Sequence, residues 1–204
     1  MSRPHVLLAG EGEGGAGGGP PLLLLHGTGG DEHDLLPLRE HLAPGAPVLS
    51  PRGTVLENGM PRFFRRHAEG VLDEDDLRER VDELAEFVTA TAPEHAGRWW
   101  AVGFSNGANA ASALLLRHPE LLAGAVLLAA MVPFAEPPAV DLTGRRVAVS
   151  NGRRDPLVPA AHTGVLVSQL RERGAEVAEF PHDGGHGIDP AVLPGLRAFV
   201  GGST

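Results

Sequence analysis

The chain has 204 residues, about one domain with one sizeable core, and its 42% hydrophobic and 21% charged content is that of an ordinary globular protein. A net charge of −9 argues against nucleic acid and anionic membrane surfaces as partners, and no apolar run approaches the roughly 18 residues of a membrane span. There is no cysteine, hence no disulfide framework, thiolate metal site or cysteine nucleophile; all 17 basic residues are arginine, which excludes a Schiff-base or phosphate-loop lysine.

Met1–His5 is not followed by a long apolar segment, so no signal peptide is expected and the cytoplasm is the expected location. Val6–Ala9 is a short strand candidate. Residues 10–20 are too glycine-rich for an element interior and read as a flexible hairpin loop; a phosphate cradle would need a G-K-[ST] ending that is absent. Leu22–Leu25 is a continuous apolar run, the pattern of a strand buried on both faces. It runs into His26-Gly27-Thr28-Gly29-Gly30-Asp31-Glu32-His33-Asp34. A helix is expected over Leu35–Leu42 with Asp34 as N-cap, closed by Pro44 and Gly45, and Val48–Ser50 is the next strand.

Residues 51–72 show little periodicity. A loop that long in a compact domain is often functional, and this one is expected to lie over the site. Its Arg62-Phe63-Phe64-Arg65-Arg66 cluster reads equally as a surface loop tucking phenylalanines into the core. From Asp73 to Thr91, Leu77, Val81, Leu84 and Val88 form one apolar helical face, and the acidic run Asp73–Asp76 suits a helix N-terminus better than a metal site. Pro93 ends that helix.

Trp99–Gly103 then leads through Ser105 into a small-residue helix reaching about His118. Gly103-Phe104-Ser105-Asn106-Gly107 reads G-x-S-x-G at a strand–helix junction, where a tight turn pushes the serine out of the end of the sheet. Ala125–Ala129 is another strand. The proline-rich link Met131–Arg145 has no room for a cap. Val147–Ser150, a helix over 160–173, Val177–Phe180 and a helix within 189–200 follow, with Pro194 tolerable only in a first turn. Strands alternating with helices predict a single-domain α/β fold over 1–204, with a mainly parallel, twisted sheet and helices on both faces. The loops at Thr28, Ser105, Asp155 and His186 then share the carboxyl edge of the sheet.

A serine hydroxyl needs a base, and the base needs a third group to hold its tautomer. Asp155, in the loop after Val147–Ser150, is the acid candidate, ahead of Asp141, which follows no strand directly. His186, between Gly185 and Gly187, is the base candidate, ahead of His182, which follows its strand too closely to reach Ser105. The order Ser…Asp…His is that of the α/β-hydrolase arrangement. The backbone amides of Asn106 and Thr28 are the expected oxyanion donors. The ring of His26 is expected to hydrogen-bond within its loop. His26, Asp31, His33 and Asp34 fit no metal spacing, so neither metal nor cofactor is expected. Met60, Phe63, Phe64, Met131 and Val132 are the expected substrate-pocket walls.

Four motifs extend this reading: His-Gly-Thr-Gly-Gly-Asp-Glu at 26–32, Ser-Pro-Arg-Gly at 50–53, Asn-Gly-Met-Pro-Arg-Phe-Phe at 58–64 and Gly-Phe-Ser-Asn-Gly-Ala-Asn at 103–109. With them the chain, over residues 20–200, resembles the phospholipase/carboxylesterase branch of the α/β-hydrolases, in particular its small bacterial members. The resemblance implies a capless α/β-hydrolase fold and esterase activity on small to medium carboxylic esters. It implies Ser105, Asp155 and His186 as triad, Thr28 and Asn106 as oxyanion donors, and a homodimer as one form relatives of this type take. The same triad would also serve a lysophospholipase or an acyl-protein thioesterase. A non-catalytic binding protein on the same fold is the alternative from a different class.

Overall fold

The apolar run at 22–25 shows how the molecule is layered. In the computed structural model, which describes residues 3–11 and 18–202, all four leucines are fully buried. Side chains alternate across a strand. Leu23 and Leu25 therefore enter one core, while Leu22 and Leu24 enter the other. The glycine-rich loop expected over 10–20 falls, for residues 12–17, outside the described residues.

Among the described residues the central sheet has seven strands: β1 (His5–Leu8), β2 (Leu22–Leu25), β3 (Val48–Pro51), β8 (Trp99–Phe104), β9 (Leu122–Leu128), β10 (Arg146–Ser150) and β11 (Glu176–Glu179). Their spatial order is β1-β3-β2-β8-β9-β10-β11. Within these seven strands β1 runs antiparallel to β3, and the other pairings are parallel. Helices α2 (Glu74–Thr91), α3 (Asn106–Arg117) and α4 (Ala160–Arg171) pack on one face. Helices α1 (Leu38–Leu42) and α5 (Leu193–Gly201) pack on the other. No strand or helix interrupts the connection from β9 to β10, so no cap is inserted there.

The expected stripe on α2 is buried, at Leu77, Val81, Leu84 and Val88. The Asp73 carboxylate caps that helix, accepting from the Asp76 N–H at 3.1 Å. Pro194 sits in the first turn of α5, where a missing N–H costs nothing. Helix α1 is shorter than expected and Asp34 does not cap it. Pro37 has no N–H to donate into the preceding turns, so residues 33–38 form single turns, such as Leu36 N–H to His33 O, and regular helix begins at Leu38.

The larger correction concerns 51–72, expected as loop. It folds into two small hairpins: β4 (Val55–Glu57) with β5 (Met60–Arg62), and β6 (Arg66–Ala68) with β7 (Val71–Leu72). Asn58 and Gly59 both have positive φ, +53° and +81°, as an Asn-Gly hairpin turn requires. Of the expected pocket walls on this segment, Phe63 and Phe64 are instead core residues, 4% and 0% exposed, packed among the side chains of α2 and α3. Met60 is 40% exposed at the hairpin turn. Phe64→Ala is therefore expected to lower stability by about 3–5 kcal/mol, and Met60→Ala by under about 0.5 kcal/mol, as read from urea unfolding midpoints.

Candidate active site

The site starts at the end of β8. Ser105 has φ +53° and ψ −114°, a conformation a non-glycine residue holds only where its surroundings over-determine it. Here they do. A Cβ at Gly103 would strike the backbone of Gly107 and Ala108, and a Cβ at Gly107 would strike the carbonyls of Leu25 and His26. The two glycines let β8, α3 and β2 close on one another. The Ser105 N–H is anchored to Leu128 O at 2.8 Å, and the hydroxyl is left at the carboxyl edge of the sheet.

His186 comes to this hydroxyl from the loop after β11. Its Nε2 lies 2.9 Å from Ser105 Oγ, and its Nδ1 lies 2.8 Å from Asp155 Oδ2. The other oxygen of Asp155 accepts the N–H groups of Leu157 at 2.8 Å and Val158 at 3.1 Å. Both carboxylate oxygens are thus occupied in a buried position, and the carboxylate cannot turn away from the imidazole. Phe104 lies against the His186 ring, centroids 5.3 Å apart. The rivals are elsewhere engaged. Asp141 Oδ1 accepts from the Thr143 N–H in an exposed turn, and the buried His182 accepts from the Gly184 N–H within its own loop.

Thr28, Asn106, Ser105 and His186 line one small cavity, with about 40 Å³ of free space. Among the described residues no protein group accepts from the N–H of Thr28 or of Asn106. Two unspent donors, one at the N-terminus of α3, can serve an anion formed beside Ser105.

The remaining walls include residues that the sequence did not single out. Arg62, Arg66, Glu69, Gly70 and Leu72 come from the hairpins, and Ala129, Leu157 and Val158 from the loops after β9 and β10. Ala129 has φ +54°. The turn it makes is pinned by two asparagines: Asn151 accepts from Ala130 N–H and donates to Ala130 O, both at 3.0 Å, and Asn109 accepts from Met131 N–H at 2.8 Å. Of the expected walls, Met131 lines the cavity. Val132 lines an adjoining apolar groove of about 380 Å³ that shares Gly70, Leu72 and Met131 with it.

No protein-family model matches the chain. MhqD of Bacillus subtilis, which carries the name of a hydrolase, is 48% identical over 168 residues, 81% of this chain and 84% of that protein. The crystal structure of a Bacillus cereus carboxylesterase superposes with a TM-score of 0.91 at 41% identity, covering 97% of this chain and 93% of that one. A carboxylesterase from Mesorhizobium loti gives 0.84 at 31% identity, covering 90% and 89%. The chain belongs to the phospholipase/carboxylesterase family of the α/β-hydrolases. It is an esterase-type hydrolase.

In this hydrolase the loop that carries Thr28 is held by His26 and Glu32. His26 Nδ1 donates to Gly27 O at 2.7 Å, and His26 Nε2 accepts from the Gly53 N–H at 2.9 Å. Glu32 takes a two-pronged contact from Arg52, at 2.5 and 2.9 Å, which holds its carboxyl below the usual range. The His26 ring is 1% exposed, and burial lowers its pKa, against the opposing pull of Gly27 O, Asp34, Asp31 and Glu32. Protonation would also place a proton where the Gly53 N–H already points. The unfolded chain takes up this proton near pH 6.5 and the folded chain only below that. Between those two values the unfolded state binds more protons, so stability falls as pH falls below about 6.5. His26→Gln, which keeps an acceptor but does not titrate, is expected to flatten this decline in urea midpoints measured from pH 7.5 to 5.

Proposed function

We propose that the chain is a serine carboxylesterase acting on small to medium carboxylic esters, with Ser105 as nucleophile, His186 as base and Asp155 as acid. The observation that carries this reading is the unbroken hydrogen-bonded chain Ser105–His186–Asp155, with the two unspent amides of Thr28 and Asn106 beside it.

Ser105 Oγ attacks the ester carbonyl carbon as His186 Nε2 takes its proton. The carbonyl oxygen becomes an oxyanion that accepts from the Thr28 and Asn106 amides. The imidazolium, held at Nδ1 by the Asp155 carboxylate, gives its proton to the leaving alkoxy oxygen as the C–O bond breaks. Water then enters, gives a proton to His186 and attacks the acyl-enzyme. The second oxyanion collapses, Ser105 recovers its proton, and the carboxylic acid departs. The Asp155 carboxylate orients the imidazole and stabilises the positive charge that forms on it.

Space argues for the size class. The cavity at Ser105 admits a short group, and the apolar groove beyond Met131 gives a longer one somewhere to lie. That groove also supports the second reading, a thioesterase or lysophospholipase with the same triad. A panel of p-nitrophenyl esters from acetate to dodecanoate separates the two. The carboxylesterase reading expects kcat/KM to peak at short or medium acyl length; a maximum at the longest chains would favour the second.

Ser105→Ala is expected to abolish turnover of p-nitrophenyl acetate, and retained turnover would sink the assignment. Asp155→Asn is expected to lower kcat by about 10⁴-fold, since the amide holds the imidazole in the wrong tautomer.

A further inference from the structure

The two oxyanion donors sit on loops far apart in sequence, after β2 and after β8, and a third segment joins them. Three consecutive residues at the end of the β4–β5 hairpin do this. Pro61 O accepts from the Gly29 N–H at 2.9 Å. Arg62 Nη1 donates to Thr28 Oγ1 at 2.9 Å. The Phe63 N–H donates to Asn106 Oδ1 at 2.8 Å. One rigid stretch thus grips the side chain of each donor residue and leaves both donor amides unspent.

Arg62 is the least expected member. Its guanidinium is buried, with the residue 3% exposed, yet it lines the cavity that holds Ser105. Its fork is spread over three acceptors: Thr28 Oγ1, Phe64 O at 3.1 Å and Glu57 Oε2 at 3.1 Å. Glu57 in turn takes Arg66 Nε on its other oxygen at 3.0 Å. A buried charge is tolerated only with partners on this scale. A core-anchoring role alone would be met by the Phe64 and Glu57 contacts. The bond to Thr28 adds a direct link between the hairpin and the oxyanion loop.

We propose that Arg62 is a positioning residue for the oxyanion hole, setting through the Thr28 hydroxyl where the Thr28 amide stands relative to the Asn106 amide. This rests on the esterase reading above and deepens it. Donors serve only when placed for the oxygen of the tetrahedral state, so a loosened Thr28 lowers kcat and leaves ground-state binding alone.

The test is a cycle of Arg62→Lys, Thr28→Val and the double variant in the full chain. Arg62→Lys keeps the charge but loses the planar fork. Thr28→Val removes the same bond from the other side without touching a buried charge, and so decides the matter if the lysine variant does not fold. Each single change is expected to lower kcat on p-nitrophenyl acetate by about 10- to 100-fold, with KM within about threefold. Affinity for phenylboronic acid, which forms a tetrahedral adduct on the serine, should fall in step with kcat. The double variant should lie within about threefold of the worse single, because both act through one link. Losses that multiply, losses confined to KM, kcat within about twofold of wild type, or an unchanged boronate affinity would each overturn the role of Arg62 and leave the esterase reading intact. Turnover retained in Ser105→Ala would overturn both.

Discussion

A serine at a strand–helix turn stands clear of the sheet only if the strand that feeds it and the helix that leaves it nearly touch. Here that closeness is bought with Gly103 and Gly107, whose missing Cβ atoms leave room for Gly107 and Ala108 on one side and for the carbonyls of Leu25 and His26 on the other. Ser105 is then held at φ +53° with its N–H tied to Leu128. The turn cannot adjust, so every other group must be brought to it. Parallel pairing of β2, β8, β9, β10 and β11 does most of this, because it places the loops after those strands at one edge of the sheet.

Loops at such an edge lack a ladder to satisfy their backbone groups, and buried backbone polar groups must be paired. Asparagine carboxamides supply many of the partners. Asn106 holds Phe63, Asn109 holds Met131, and Asn151 holds both backbone groups of Ala130 while also donating to Thr163 Oγ1 at 2.7 Å. Arginine forks do comparable work farther out. Arg173 reaches Pro138 O, Pro137 O and Gln169 O at 2.9–3.0 Å, and so fastens the irregular connection between β9 and β10 to α4. A chain whose only strong cations are arginines is suited to this, since a planar fork can serve two carbonyls where an ammonium serves as a point charge.

The hairpin segment 55–72 has a double role for the same reason. Its phenylalanines enter the core under α2 while Arg62, Arg66 and Leu72 line the cavity at Ser105. Packing and chemistry therefore meet in consecutive residues, and the segment cannot be divided into a structural part and a functional part.

What the sequence by itself determined were the features with a local cause. Apolar runs and the stripe on α2 told strand from helix, G-x-S-x-G at a strand–helix junction marked the elbow, and strands alternating with helices implied a parallel sheet with both faces covered. The sequence put Asp155 and His186 in loops that follow strands, and so at the same sheet edge as Ser105, where the three side chains form one hydrogen-bonded chain. The start of α1 was misread because Pro37 overrode Asp34. The hairpins had one local signal, Asn58-Gly59, obscured by short, irregular strands. Only the tertiary structure decided that Phe63 and Phe64 are core, that Asn109 and Asn151 pin the Met131 turn, and that Arg62 reaches Thr28. Those contacts join residues that are 21 to 34 positions apart where they are hydrogen bonds. Their partners are fixed by how separate loops pack across a sheet edge, and no periodicity along the chain encodes that.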